Sequence, residues 1–309
     1  MNNYPKISII TPTFNQGSYI EKTILSILNQ NYPNLEYIII DGGSTDETLS
    51  IIKKYEQRIT YWISEADKGQ SDAINKGIRM ATGDIINWIN SDDYLEDNVL
   101  FKIACEFENS DIDVVCGYSD LITNSGLISK RTSQLQGDFA SFISRGHIMQ
   151  PSTFFRKQIF DAYTPLATNL HYMMDHYLWL QYICENGLSK VLYVDYKISN
   201  VLLHEKAKSY NMIDFFKEDR GLIYLSLFKS LNLNLIYPNA KNPNRLNFSS
   251  KTFSNQIIKN HKLINFLLLV DILFKRDSMG KNKFNFIVIL KLLLYFPGNF
   301  FNYLLKKFK

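Results

Sequence analysis

Apolar runs and helix-like segments alternate through the first hundred residues of the chain. Ile7–Ile10 is a short continuous apolar run, which predicts a buried strand, and Tyr19–Leu28 follows with Ile20, Ile24, Ile27 and Leu28 on one helical face. Leu35–Ile40 predicts a second strand ending at Asp41. After the turn GGST, Asp46–Tyr55 predicts a helix with Leu49, Ile52 and Lys53 spaced along it. Ile59–Ile63 predicts a third strand, Ser71–Met80 a helix, and Ile85–Ile89 a fourth strand closing on NSDD. Repeated strand–helix alternation is the pattern of a doubly wound α/β unit.

Three successive strands thus end in polar, Asp-rich loops, and ligands of open α/β sheets bind outside the carboxyl ends of the strands. From about residue 110 to 210 the pattern is less regular. Val114–Gly117 and Lys190–Val194 predict strands, with a turn at residues 124–126, and together they read as the second half of the same sheet.

After about residue 210 the composition shifts to Leu, Phe, Asn and Lys. Leu263–Phe274 and Phe284–Phe296 are strongly apolar, but Asp271 and Lys291 interrupt them, and neither reaches the ~20 apolar residues needed to span a bilayer. Residues 259–309 carry ten Lys and Arg against Asp271 and Asp277, a net of +8 within a whole-chain charge of +4. The body over residues 1–258 is therefore mildly acidic. Such a tail suits an interfacial helix drawn to anionic lipid, or helices packed on the body. Nucleic-acid binding is not expected of the body, which is net acidic, because the net positive charge sits in the tail.

With 309 residues, 46% of them hydrophobic and 21% charged, the chain can bury one large core or two. Its three cysteines form no CxxC pair and are too few for a disulfide framework, so buried free thiols in a reducing compartment are expected. The N-terminus lacks the features of a secretory signal, which predicts a cytoplasmic protein, peripheral on the inner face of the membrane if the tail binds lipid.

The candidate chemistry lies in the loops. Asp41 stands at a strand end where it can accept hydrogen bonds from a base edge, and Gly42 and Gly43 allow close backbone approach. Thr11, Pro12 and Asn15 occupy the corresponding loop after the first strand. Helix capping accounts for Ser44, Thr45, Asp46 and Glu47 but not for Asp41 and the glycines. Lys68, Asp72, Asn75 and Lys76 surround the start of a helix, suited to an anion such as a diphosphate, although a solvated face also explains them. NSDD offers carboxylates for a divalent ion, or an ordinary polar turn. In MMDHYLWL, Asp175 opens a helical run, where a lone Asp serves as a helix cap, and His176 beside it faces another direction. His204, taken alone, can be a structural histidine. Phe154 and Phe155 fit an ordinary core.

The ordered set ITPTFNQ (10–16), IIDGGSTDET (39–48), SEADKGQSDAINKGI (64–78), ATGD (81–84) and NWINSDD (87–93) resembles the family 2 glycosyltransferases, over roughly residues 5–210. The resemblance implies a GT-A fold, Rossmann-like, with a mostly parallel central sheet flanked by helices, and here a C-terminal helical, apolar-basic extension. It implies inverting transfer of a single sugar from a nucleotide-diphosphate sugar, with UDP expected, to a glycan or lipid-linked glycan in surface polysaccharide biosynthesis. A QxxRW motif, which would mark a processive synthase, is missing. Residues 1–210 would form the catalytic domain, divided into a nucleotide-sugar half over 1–100 and an acceptor half over 101–210, with the extension over 211–309.

By the same resemblance Thr11, Pro12, Thr13, Asn15, Asp41, Gly43, Ser44, Lys68, Asp72, Asn75, Asn90, Ser91 and Asp93 would line the donor site, with Asp67–Gly69 and Asn75–Gly77 as parts of its pocket. Asp92 would hold Mg or Mn, joined by His204. Asp175 would be the base and Gln150 would meet the acceptor. Asn90 departs from the family's DxD motif, where it removes one charge from the metal site. Two other readings compete: a non-catalytic glycan- or membrane-binding module of the same fold, to which Asn90 points, and a sugar nucleotidyltransferase, against which the chain shows no Gly-rich, Arg-containing phosphate loop.

Overall fold

The computed structural model describes residues 4–123, 125–133, 148–163, 166–205, 207, 213–230 and 246. The chain divides into two compact units, one of residues 1–133, 148–182 and 186–210, the other of residues 134–147, 183–185 and 211–309. The basic apolar tail over 259–309 lies outside the described residues, as do Asn124 of the expected turn and His147.

In the first unit the strands are β1 (Ile7–Thr13), β2 (Leu35–Asp41), β3 (Tyr61–Ser64), β4 (Ile85–Trp88), β5 (Tyr94–Leu95), β6 (Val114–Thr123), β7 (Gly126–Thr132), β8 (Thr153–Arg156) and β9 (Val191–Leu202). They form one sheet in the order β3-β2-β1-β4-β8-β6-β9-β5, with β7 paired to β6. β1 pairs in parallel with β2 and β4, and β2 with β3. Every residue of β1 is buried, because a central parallel strand is covered on both faces, and this is why its sequence reads as an apolar run rather than an alternation. β8 enters antiparallel between β4 and β6, and β9 runs parallel to β6.

The helices α1 (Gly17–Leu28), α2 (Thr48–Lys54), α3 (Gln70–Met80), α4 (Val99–Glu106), α5 (Gln158–Tyr163) and α6 (Met174–Asn186) follow in chain order. α1 buries Ile20, Ile24, Ile27 and Leu28, the face expected from their spacing, in a core that includes Ile7, Ile9 and Ile39. α3 approaches β1 so closely that a Cβ at Gly77 would come within 2.4 Å of Ile10 Cγ2. Gly77 therefore serves the close packing of α3 on β1.

α2 begins at Thr48 rather than Asp46, because Asp46 Oδ1 accepts the Thr48 backbone N–H at 3.0 Å from outside the helix. β9 runs on to Leu202, well past the predicted Val194. Its polar residues find partners there: Lys197 pairs with Glu96 and Asp120, and Asn200 donates to Glu96. Cys116 is buried as expected, and burial pushes its thiol up to about 12. Cys105 is exposed, contrary to expectation, since α4 turns Val99, Leu100, Ile103 and Ala104 inward and leaves it on the outer side.

In the second unit, the helix α7 (Ile213–Ser230) buries Ile223, Tyr224, Leu227 and Phe228. Among the described residues no helix is long and apolar enough to cross a membrane.

Candidate functional site

The strand order reverses at β1, with β2 and β3 to one side and β4 to the other, which makes the carboxyl edge of these strands the place for a ligand. Four loops meet at this edge. The first two are laced together: Asn15 N–H donates to Ser44 Oγ at 2.7 Å, Thr45 N–H to Asn15 Oδ1 at 2.9 Å, Gln16 N–H to Thr48 Oγ1 at 2.9 Å and Gly17 N–H to Asp46 Oδ2 at 3.0 Å. Asn15 holds a left-handed backbone, φ 52°, to make this turn.

Asp41 is 0% exposed, and its carboxylate is hydrogen-bonded within the protein. It accepts the N–H groups of Gly43 at 3.1 Å and Ser44 at 2.9 Å, the Ser64 hydroxyl at 2.6 Å, and the Ser44 hydroxyl on its other oxygen. Asp41 thus helps to build the loop at the end of β2. Thr11 is buried against the Tyr37 hydroxyl, and Pro12 is buried in β1. Thr13 differs: its hydroxyl is buried at the strand end with no hydrogen-bond partner. Phe14, which the sequence reading passed over, is 58% exposed in the same loop.

The third loop leads into α3. Lys68 N–H donates to Asp72 Oδ2 at 3.1 Å, so Asp72 caps the approach to the helix, and Lys76 pairs with Glu65 at 2.9 Å. A small open cleft of about 40 Å³ lies here, lined by Lys68, Gly69, Gln70, Ser71, Thr168, Leu170 and His171. Asn75 is buried beneath it. Its amide donates to Leu166 O at 2.9 Å and accepts Leu166 N–H at 2.7 Å, which fixes the loop ahead of α6 against α3.

The fourth loop is NSDD. Gln70 donates to Asn90 Oδ1 at 2.6 Å, and Asn90 donates to Asp93 Oδ2 at 3.1 Å, joining this loop to the start of α3. Ser91 and Asp93 are buried. Burial, and after it the charge of Asp92, push the Asp93 carboxyl well above the usual carboxylate range. Asp92 faces His204, whose Nε2 lies 3.0 Å from Asp92 Oδ2. The His204 ring stacks on Tyr19 with centroids 4.3 Å apart, and its Nδ1 is buried with no partner.

Asp175 lies in the first turn of α6, four residues after His171 of the cleft. Loss of water around it pushes its carboxyl up to about 6, against the pull of the His176 backbone N–H, which donates to Asp175 Oδ1 at 2.7 Å. An acid of this strength is half ionised near pH 6 and can take a proton at neutral pH.

Residues 8–172 match the family model described as Glycosyl transferase family 2. The chain belongs to this family. Among its curated relatives is an uncharacterized glycosyltransferase of Rickettsia typhi, 30% identical over 198 residues that cover 59% of this chain and 60% of that protein. The match thus spans less than two thirds of that relative. Among solved structures, S. aureus TarS in complex with UDP-GlcNAc superposes with a TM-score of 0.55 at 20% identity, covering 75% of this chain and 68% of that one. A mannosyltransferase from Pyrobaculum calidifontis, in complex with GDP-Man and Mn2+, gives a TM-score of 0.54 at 16% identity, covering 96% and 82%. At these identities the likeness establishes the GT-A fold.

Among the described residues of this family 2 chain, no three His, Cys, Asp or Glu side chains converge as a closed metal site. The Asp92–His204 pair nonetheless fits a divalent ion. Its 3.0 Å separation equals that of neighbouring ligands around an octahedral ion with bonds of about 2.1 Å, and such ions commonly take one or two protein ligands and complete their shell with phosphate and water. Gln150, expected at the acceptor, is buried and donates to Asn87 Oδ1 at 3.1 Å and Trp88 O at 2.7 Å. It braces β4 just before NSDD, and Phe154 and Phe155 beyond it are core.

Proposed function

We propose that this chain catalyses the inverting transfer of one sugar from a nucleotide-diphosphate sugar to a hydroxyl of a glycan or lipid-linked glycan, in surface-polysaccharide assembly. The observation that carries the reading is the match of residues 8–172 to the family 2 model, with Asp175 in the first turn of α6, four residues after His171 of the cleft, as the candidate base. Membership of family 2, and neighbours whose structures hold UDP-GlcNAc or GDP-Man, support a nucleotide-sugar donor.

In this mechanism the Asp175 carboxylate takes the proton of the acceptor hydroxyl as that oxygen attacks the anomeric carbon. The bond from that carbon to the diphosphate breaks on the opposite face, and the nucleoside diphosphate leaves. Mg or Mn, when bound, would offset the leaving group's charge, and Asp92 and His204 are the residues that would hold it. Lys68 and the amino end of α3 add positive potential on the same side of the cleft. The net +8 of residues 259–309 supports a peripheral contact with the anionic cytoplasmic face of the membrane, where a lipid-linked acceptor would lie.

The test is Asp175→Asn. Transfer should fall by at least about a thousandfold, at the upper part of the range for a lost general base, while stabilisation by the nucleotide sugar persists. Retained turnover would remove Asp175 from the mechanism.

A further inference from the structure

The hairpin of β6 and β7 holds two neighbouring apolar side chains in water. Leu127 is 66% exposed and Ile128 55%. In β7 six of seven residues are exposed and Ser129 is half-buried, so neither face of the strand is covered. The register with β6 shifts between Leu121 and Ile122, which leaves Ile128 as an extra residue between Leu127 and Ser129. The turn of this hairpin lies on the edge that bears the candidate site. β8 is antiparallel to both β4 and β6, so β6 runs with β4 and turns back at the same carboxyl edge as the NSDD loop. A short path joins the two: Leu127 stands opposite Ile122, Ile122 O accepts the Leu203 backbone N–H at 2.7 Å, and the next residue, His204, meets Asp92. From Leu121 to Thr132 the hairpin carries Lys130 and Arg131 and no acid. Asp195 of β9 faces Lys130 at 3.2 Å, and Arg131 is exposed.

Resting on the lipid-linked acceptor of the reading above, we infer that this hairpin is a membrane-docking element. Leu127 and Ile128 enter the headgroup region of an anionic bilayer, Lys130 and Arg131 meet its phosphates, and the edge with Asp92 and His204 is thereby turned toward the lipid surface. A protein partner does not suit these features. Two side chains supply only a small part of the roughly 800 Å² per partner that a stable protein interface buries. A second copy pairing along β7 would bring together the Lys130 and Arg131 of both chains, and charges and bulges on an edge strand are features that prevent such pairing. A bilayer requires neither a matching surface nor a large area, because inserted apolar side chains and nearby cations add to any other basic contact the chain makes. The net +8 of residues 259–309 would be that other contact.

The test sediments the full chain with vesicles of phosphatidylcholine and phosphatidylglycerol, and with vesicles of phosphatidylcholine alone. Wild-type protein should bind the anionic vesicles at least about tenfold more tightly, and less tightly as salt rises. Leu127→Ser combined with Ile128→Ser should lower that affinity by about tenfold or more, because two apolar side chains no longer leave water. The unfolding midpoint of this double variant should match wild type, since both side chains are already exposed. Leu127→Trp places a reporter at the tip, and its added emission, relative to wild type, should shift to the blue with anionic vesicles and be quenched by brominated lipid. Unshifted emission while the protein sediments with the vesicles, or affinity within twofold of wild type in the double variant, would overturn the hairpin's role and leave the tail to carry binding. Wild-type protein that ignores anionic vesicles, or that self-associates without lipid through a contact the double variant loses, would overturn it as well. None of these results touches the transferase reading, which rests on its own measurement with Asp175→Asn.

Discussion

The imidazole of His204 lies 3.0 Å from the carboxylate of Asp92, although 112 residues separate them along the chain. The ring cannot swing freely, since it also stacks on Tyr19. If this pair carries the divalent ion, Asp92→Asn should abolish the stabilisation that Mn2+ adds in the presence of UDP, and His204→Ala should weaken it by about tenfold or more. Tyr19→Ala leaves both ligand atoms in place and should produce a smaller loss. Thermal shift against Mn2+ concentration orders the three variants. Equal Mn2+ response in Asp92→Asn and wild type would exclude Asp92 as a ligand.

The raised pKa of Asp175 sets a pH profile. A base must be ionised, so kcat/KM should rise about tenfold per pH unit below about 6 and level off above it. A plateau already reached at pH 4.5 would contradict this environment for Asp175.

The same group makes a linked stability prediction. Its folded-state value of about 6 exceeds the ordinary 3.8, so the folded protein holds this proton more tightly. That contribution to stability is present below pH 3.8 and is lost as pH rises through about 6. Asp175→Asn should accordingly be more stable than wild type at pH 8, by something on the order of 2 kcal/mol, and no more stable at pH 3.5. Chemical denaturation at the two pH values measures the difference.

Glu36 behaves in the opposite sense at the far end of the sheet. It accepts from Lys6 at 2.7 Å, from the Ser8 hydroxyl, and from both the backbone and the hydroxyl of Thr82 at 2.7 Å. Burial opposes its charge, but these donors outweigh that and hold it down to about 2. Its contribution is therefore full above pH 4.5 and is lost as pH falls toward about 2. Glu36→Gln should cost about 2 kcal/mol at pH 7 and progressively less on acidification, read from denaturation midpoints.

Gly77→Ala should destabilise the fold without touching the chemistry. The added methyl group meets Ile10 Cγ2 and forces α3 away from β1, at a cost of about 1–3 kcal/mol for overpacking, less the small gain in helix propensity. Unfolding midpoints should drop while nucleotide affinity per folded molecule changes little. A large selective loss of nucleotide affinity would place Gly77 at the donor site.

How much of this was legible beforehand differs between strands and side chains. The run Ile7–Ile10, the helical face of Ile20, Ile24, Ile27 and Leu28, and the Asp-bearing strand ends are local patterns, and each element formed where those patterns lay. β9 was only partly legible, because Lys197, Ser199 and Asn200 look like loop residues until β5 and β6 supply their partners. Gln150 and Asn75 belong to the right segments, yet their amides bond inward, to the backbone at Trp88 and at Leu166.

From the sequence alone came the α/β class, the edge of the sheet that carries the polar loops, and the family resemblance. Hydrophobic periodicity and turn residues act over a few neighbouring positions, so they survive reading in one dimension. Which groups surround a carboxylate depends on atoms brought together from distant segments. Asp41 closes on Ser44 and Ser64, Asp67 fills the space above Gly42, and Asp92 meets His204. Only the tertiary structure decided these, because an aspartate's role follows from what donates to it and from how much water reaches it, and neither is written in its neighbours along the chain.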